Sequence, residues 1–520
     1  MHLLITGADS LLARAFIAAL PSDVSVRAVD ATFSTPIPNV ETRTGHLRDT
    51  DFLAAALADI THIVNLTPLY TRLSNDNTRR DNATLDEATR GSYQLANAAA
   101  EAGVQRLILG STLDFFAPLW DDFRADESWR PRPQPTLEQL CPYLAEVALR
   151  EVARVTNLTI VCLRLGEVVD DAHAASHPYD RRWLHVEDAV SALLRALEVE
   201  ADGWKIYHIA AAGERTRVPV AQAGDEPFGY QPRHDFAERW ASEVATPAFQ
   251  KPAPIPAKPI RKVVVFGAGG PLGASLAAEL APHYTVRLTD VKPVEELMNI
   301  PPQSPGAPLP VPPLPPHEWQ VVDVRDAAQV HAACAGMDAI VNVSVVRHDP
   351  VDAFRVNAIG AFNVMNAAVA HGIQRVVHTG PYMLGQKGGA GYGWDDYLVD
   401  DIPPRPGIWW VYLPSKLLGQ EICRIFAEHY GLCVPTLTFA QFVNPKVLPK
   451  RVSTLAVSWM DSANAIRCAL DIDGLPSPYE YMHIGADTPL GVFPNDKAKR
   501  LLGWQPQDDF RDVYGRRKDE

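Results

Sequence analysis

RKVVVFGAGGPLGASLAAEL, residues 261–280, opens with a buried-strand run, Val263, Val264, Val265 and Phe266. Glycines follow at Gly267, Gly270 and Gly273, and the apolar residues then take helical spacing. A strand that turns on glycines into a helix suits a dinucleotide for physical reasons. The first glycine permits the tight turn, the second lets backbone approach a pyrophosphate, and the third lets helix pack on strand. The helix N-terminus offers free N–H groups and a positive dipole end to the phosphates. A second strand, YTVRLTD at 284–290, ends in Asp290, 23 residues after Gly267, where a carboxylate accepts the ribose hydroxyls of NAD. No arginine follows Asp290 to receive a 2′-phosphate, so NAD is expected in preference to NADP.

The same plan stands at the start of the chain. In MHLLITGADSLLARAFIAAL, residues 1–20, Gly7, Ser10 and Ala13 take the places of Gly267, Gly270 and Gly273. Asp30 ends the next strand, again 23 residues beyond the first glycine, and both pairs are offset by 260 positions. Further segments correspond: 45–57 with 322–334, 60–68 with 337–345, 91–109 with 360–378, and 228–236 with 502–510. The chain therefore carries two copies of one α/β unit. The expected domains are 1–236 and 261–520, joined by an Ala/Pro-rich linker over 237–260. The second copy carries a proline-rich insertion, PPQSPGAPLPVPPLPP at 301–316, expected to be an extended, solvated loop because proline cannot join a sheet or helix interior. Strands alternating with helices predict two tandem doubly wound parallel sheets of the Rossmann type.

Composition narrows the partners. At 520 residues the chain is long enough for two domains, and a hydrophobic content of 47% suits a globular protein. A formal net charge of −14 argues against nucleic acid or an anionic membrane surface. The six cysteines show no C-x-x-C spacing and read as buried thiols rather than metal ligands. No apolar run reaches membrane-spanning length and no cleavable leader is evident, so a cytoplasmic location is expected.

The chemistry is expected in the second copy. In YLPSK, residues 412–416, a helix places Tyr412 and Lys416 one turn apart on one face. An ammonium beside a phenol lowers its pKa, and a tyrosine so tuned exchanges a proton with a substrate hydroxyl near neutral pH.

Both copies resemble the extended short-chain dehydrogenase/reductase family, the NAD-dependent epimerase/dehydratase group. The resemblance rests on GAGGPLG (267–273), Asp290, Asp323 in VVDVRD, Asn357 in VNAIGAFN, YLPSK and AKRLLGWQP (498–506), and it covers nearly the whole chain, twice. It implies that Tyr412 is the acid/base and that Lys416 holds the nicotinamide ribose and tunes the tyrosine. It further implies that Asp290 binds the adenosine ribose, that Asp323 lies near the adenine, and that Asn357 belongs to the cofactor site.

The family usually places a Ser or Thr where HTGPYMLG (378–385) has Gly380, which leaves Thr379 as the candidate hydroxyl. Gly380, Pro381 and Tyr382 cannot supply the acid and base of a sugar-nucleotide dehydratase. The first copy keeps Thr112 and Tyr143 but has Val147 at the lysine position and Ala88 at that of Asn357. It is read as catalytically degenerate, with Gly7 and Asp30 still placed to bind dinucleotide. The short segments after strand 6 resemble uronate dehydrogenase-like members, which act on small unactivated sugars. Arg164 stands on strand 6 of the first copy as a possible carboxylate clamp, and the second copy is read as having Phe439 there.

The expected function is an NAD-dependent oxidoreductase acting on a hydroxyl or carbonyl of a small molecule, plausibly a sugar derivative. Two alternatives stand beside it: an epimerase that uses NAD transiently, and a non-catalytic dinucleotide sensor or scaffold. The two halves are expected to pair as an intramolecular pseudo-dimer through helices near 86–102 and 143–155 in the first copy and 354–371 and 412–429 in the second. Leu95 and Val364 are the apolar positions expected on those faces.

Overall fold

The computed structural model describes all residues except 71–76, 120–122, 214, 216–220, 244–249, 303, 383–410, 448–451, 453–455, 488–494 and 511–520, and the side chains of 77–80 and 221. The chain divides into two units, Met1–Gln250 and Lys251–Glu520. The first carries strands β1 (His2–Thr6), β2 (Ser25–Asp30), β3 (Glu41–Thr44), β4 (His62–Asn65), β5 (Arg106–Thr112), β6 (Thr159–Leu165) and β7 (Trp204–Ile209). The second repeats them as β8 (Lys262–Phe266), β9 (Thr285–Asp290), β10 (Glu318–Val321), β11 (Ala339–Asn342), β12 (Arg375–Pro381), β13 (Val434–Phe439) and β14 (Tyr479–His483).

Each set forms a seven-stranded sheet, ordered β3-β2-β1-β4-β5-β6-β7 and β10-β9-β8-β11-β12-β13-β14. All pairings in both sheets are parallel. Parallel strands need helical crossovers, which cover both faces and bury the strands completely. Val263, Val264, Val265 and Phe266 are accordingly all inaccessible to solvent. In each sheet the order reverses between the first and fourth strands, β1/β4 and β8/β11, and a crevice opens beyond their carboxyl ends. The helices that matter to that crevice are α1 (Leu11–Ala19), α2 (Ser92–Glu101), α3 (Leu137–Val155), α4 (Pro271–Leu280), α5 (Gly360–Ala370) and α6 (Tyr412–Tyr430).

The segment between the sheets differs from a free linker. Residues Ala237–Ser242 form a 3-10 helix whose Trp240 indole donates to Asp235 and whose Arg239 reaches the His177 carbonyl. Farther on, Ile255 donates to the Tyr430 carbonyl and Lys251 to that of Glu428, at the end of α6. Each end of the segment is thus tied to its own unit. The proline-rich insertion holds no helix or strand among its described residues. Leu314 is 78% exposed, and the Gly306 carbonyl accepts from Asn444. Among the described residues no helix is long and apolar enough to cross a membrane.

Candidate active site

In the second half the glycine turn is built by close packing. Gly267 has φ +89°, and a Cβ there would lie 2.6 Å from the Ser344 nitrogen, so only glycine lets β8 pass the backbone that follows β11. A Cβ at Gly273 would lie 2.4 Å from the Ala268 Cα, which fixes how closely α4 packs on the turn. Gly270 is different: a Cβ there would meet nothing nearer than 3.9 Å, and no side chain caps α4. The start of that helix is left open, as a bound pyrophosphate requires. Asp290 accepts from the Gly269 and Val291 amides at 2.8 Å each. Burial raises its pKa despite those bonds. Asp323 is held by Arg325, whose hydrogen bonds outweigh burial and keep its carboxyl below the usual range.

Helix α6 lays Tyr412, Lys416 and Gln420 along one buried face. The Lys416 ammonium is 2% exposed and donates to the carbonyls of Ser344 (2.9 Å) and Thr379 (3.2 Å), joining the ends of β11 and β12. Burial, then repulsion from Arg347, lowers its pKa to about 7. Asn357 lies in a π-helical turn, Arg355–Ile359. Its amide donates to the Val346 carbonyl (2.8 Å) and the Ser415 hydroxyl (2.9 Å) and accepts from the Val346 nitrogen. It therefore clamps the loop after β11 to α6, with both amide hydrogens spent inside the protein. A Cβ at Gly419 would meet the Asn357 carbonyl at 2.2 Å, so glycine lets that contact form.

Three sequence expectations change here. The Tyr412 phenol is raised, not lowered. Burial dominates, and the cation that opposes it is Arg347, whose guanidinium carbon sits 5.5 Å from the ring centroid, rather than Lys416. Thr379 gives its hydroxyl to the Asn342 carbonyl at 3.0 Å, and strand alternation turns it away from the face that Gly380 presents to α6. The sheet register pairs Gly380 with Thr438, just as Ser111 pairs with Arg164. Thr438, not Phe439, is thus the counterpart of Arg164.

The first half fills the same place with an ion pair. Glu146 receives Arg164 in two hydrogen bonds, 3.0 and 2.8 Å, and the Ser111 hydroxyl at 2.5 Å. Arg164 also reaches His208, whose pKa burial and that guanidinium push down to about 3. Arg164 is spent on Glu146 and is not free to clamp a substrate carboxylate. Val147 and Tyr143 are buried beside this pair. At the dinucleotide end Gly7 keeps φ +67°, and Asp30 accepts from Asp9 and Ala31. Ser10, however, caps α1, accepting from Ala13 at 3.3 Å and donating to Gly7 at 2.8 Å. Asp9 adds a carboxylate to the turn, where bonds from Arg14 and Ser34 outweigh burial and keep it ionised. A cavity of about 250 Å³ remains there, bounded by Gly7, Asp9, Ser10, Asp30, His46 and Glu87.

Arg347, Glu146 and His208 are the site residues that sequence reasoning missed. Arg347 carried one usable signal, a cation in the loop just past a strand that borders the crevice.

Known proteins resemble the chain over about half of its length. The chain is 26% identical over 256 residues to the uronate dehydrogenase of Pseudomonas putida, a match that covers 48% of this chain and 85% of that one. It is 24% identical over 259 residues to the NAD-dependent glucose-6-phosphate dehydrogenase of Haloferax volcanii, covering 47% and 93%. The crystal structure of uronate dehydrogenase from Agrobacterium tumefaciens matches at 26% identity and a TM-score of 0.38, covering 48% of this chain and 85% of that one. The family described as "NAD dependent epimerase/dehydratase family" matches residues 3–177 and again 263–470, and the chain belongs to it through both halves.

Proposed function

We propose that the second half is an NAD-dependent oxidoreductase that acts on a hydroxyl or carbonyl of a small sugar derivative, a uronate in the first instance. The observation that carries this is the Lys416 ammonium seated on the Ser344 and Thr379 carbonyls one turn from Tyr412. Two of its three hydrogens are spent, and the third is available to a ribose hydroxyl. NAD, when bound, supplies the hydride acceptor. Gly267, Gly270 and Gly273 would hold its pyrophosphate, Asp290 its adenosine ribose, and Asp323 its base end. Tyr412 takes the proton from the substrate hydroxyl, or returns it in the reverse direction. The fit is supported by the uncapped start of α4, the open space at Gly270 and the Asp290 carboxylate beside the turn.

The test is NADH formation, followed at 340 nm, from NAD with glucuronate, galacturonate or glucose 6-phosphate. NADH accumulating in step with substrate loss supports an oxidoreductase. Interconversion of sugars without NADH release would make the second half an epimerase. Tyr412→Phe should lower kcat by about 10²–10⁴-fold while NAD binding is kept, because only the transferable proton is removed. If Tyr143→Phe proved the more damaging change, the active half would be the first.

We place the protein in a reducing cytoplasm, a reading supported by its six cysteines, none of them in a disulfide and five of them buried. The first half keeps a dinucleotide crevice at Gly7 and Asp30 but lacks the lysine, so we read it as a binding and not a turnover site. We further propose that the halves pair as an intramolecular pseudo-dimer, because a shared chain raises their effective concentration. After cleavage at a protease site engineered between them, the halves should elute together; separate elution refutes the pairing. Leu95 and Val364, expected on the pairing faces, are 0% and 1% exposed, so a charge at either would damage the fold as readily as the pairing.

A further inference from the structure

The strand hydroxyl that the family resemblance expects at Gly380 is missing, and its place is taken. A Cβ at Gly380 would meet the Gln420 Nε2 atom at 2.1 Å, and the next nearest group beyond Gln420 is Thr438 at 3.8 Å. Gln420 is 1% exposed, and among the described residues neither its Nε2 nor its Oε1 has a hydrogen-bond partner. A buried amide with both ends unpaired is rare and calls for a reason. The first half shows what the position otherwise does. There Ser111 stands on the strand and hands its hydroxyl to Glu146 on the facing helix α3. In the second half the strand side chain is lost, and a carboxamide from the helix enters the vacated volume. Lys416 touches the carbonyl of Thr379, the residue before Gly380, so amide and ammonium meet the same strand end.

We propose that Gln420 is a catalytic residue of the second half, its Nε2–H donating to the substrate oxygen whose proton Tyr412 exchanges. That oxygen gains negative charge as its proton leaves, and a preorganised donor in a dry site stabilises it more than water does. The unspent Oε1 accepts from a neighbouring hydroxyl, which suits a sugar or another polyol. This rests on Tyr412 being the acid/base, as proposed above.

The experiment uses the full chain and NADH formation from glucuronate. Gln420→Ala and Gln420→Met should each lower kcat by about 10²–10³-fold, with KM changed far less and NAD affinity and circular dichroism kept. Gly380→Ser combined with Gln420→Ala places a hydroxyl where the amide was and should recover roughly ten-fold or more of the loss. Gln420→Met within about three-fold of the parent shows that the side chain only fills space, and overturns the proposal. Absence of glucuronate turnover in the parent chain speaks against the proposed function, and Gln420 is then judged by a crystal structure of the NAD complex soaked with glucuronate. An Nε2 atom within hydrogen-bond distance of a sugar oxygen supports the role; an amide bonded only to protein or to a buried water overturns it.

Discussion

Lys416 sets stability against the chemistry proposed for it. It is sealed between α6 and the ends of β11 and β12, and its pKa falls from 10.5 to about 7. An unfolded chain keeps that proton up to about pH 10.5, so between the two values the unfolded state binds more protons than the folded one, and stability rises with pH. Lys416→Met should abolish that slope in urea titrations run from pH 7 upward and should raise the melting temperature at neutral pH while removing activity. A variant with an unchanged slope would mean that the ammonium is better solvated than its burial implies. Arg347 offers the complementary test. It lowers the Tyr412 phenol and repels the Lys416 ammonium. Arg347→Ala should therefore move the alkaline rise of substrate oxidation to higher pH, as read from the pH profile of kcat. No shift, or a shift to lower pH, would show that Arg347 does not tune the group behind that limb. Tyr412 and Lys416 were legible because helical spacing alone puts them on one face. Arg347 and Gln420 were not, since what makes them matter is a distant strand end and a missing side chain.

The glycine turn was legible at the scale of the element because its logic is local: strand, turn and helix are consecutive, and each glycine answers to a close approach. The two copies also show what the motif tolerates. Where the second half has Gly270 and an uncapped helix, the first has Ser10, whose hydroxyl occupies the first turn of α1. Gly270→Ser should copy that plug into the second half and weaken NAD binding by about 10–100-fold in calorimetric titration, the loss of one or two charge-assisted hydrogen bonds. Unchanged affinity would mean that the phosphates do not sit on the start of α4. Register, in contrast, was misread by one residue. Assigning Phe439 as the counterpart of Arg164 needed the pairing of β12 with β13, and a slip of one position moves a side chain to the other face of a sheet. The same non-locality hid the Glu146–Arg164 pair, whose partners come from a helix and a strand 18 residues apart.

Across the whole molecule the duplication leaves two crevices with unequal equipment. The second has an open turn, a lysine on the strand ends, and Asp323 fixed by Arg325. The first has a capped turn, the ionised Asp9 within it, Val147 for the lysine, and His46 where Asp323 would be, its imidazole raised by a bond to Glu87. Asp9 disfavours a pyrophosphate at that turn, yet Asp30 and the cavity beside it are kept. NAD binding to the full chain should therefore resolve into two classes about 10–100-fold apart, the tighter lost in Asp290→Ala and the weaker in Asp30→Ala. Salt separates them further. Asp9 is held by Arg14 on a partly exposed surface, so raising ionic strength should screen its repulsion and narrow the gap by improving the weaker class. Two equal classes would show that Ser10 and Asp9 yield to the cofactor. A single class removed by Asp30→Ala would put the working dinucleotide site in the first half and overturn the division of labour between the copies.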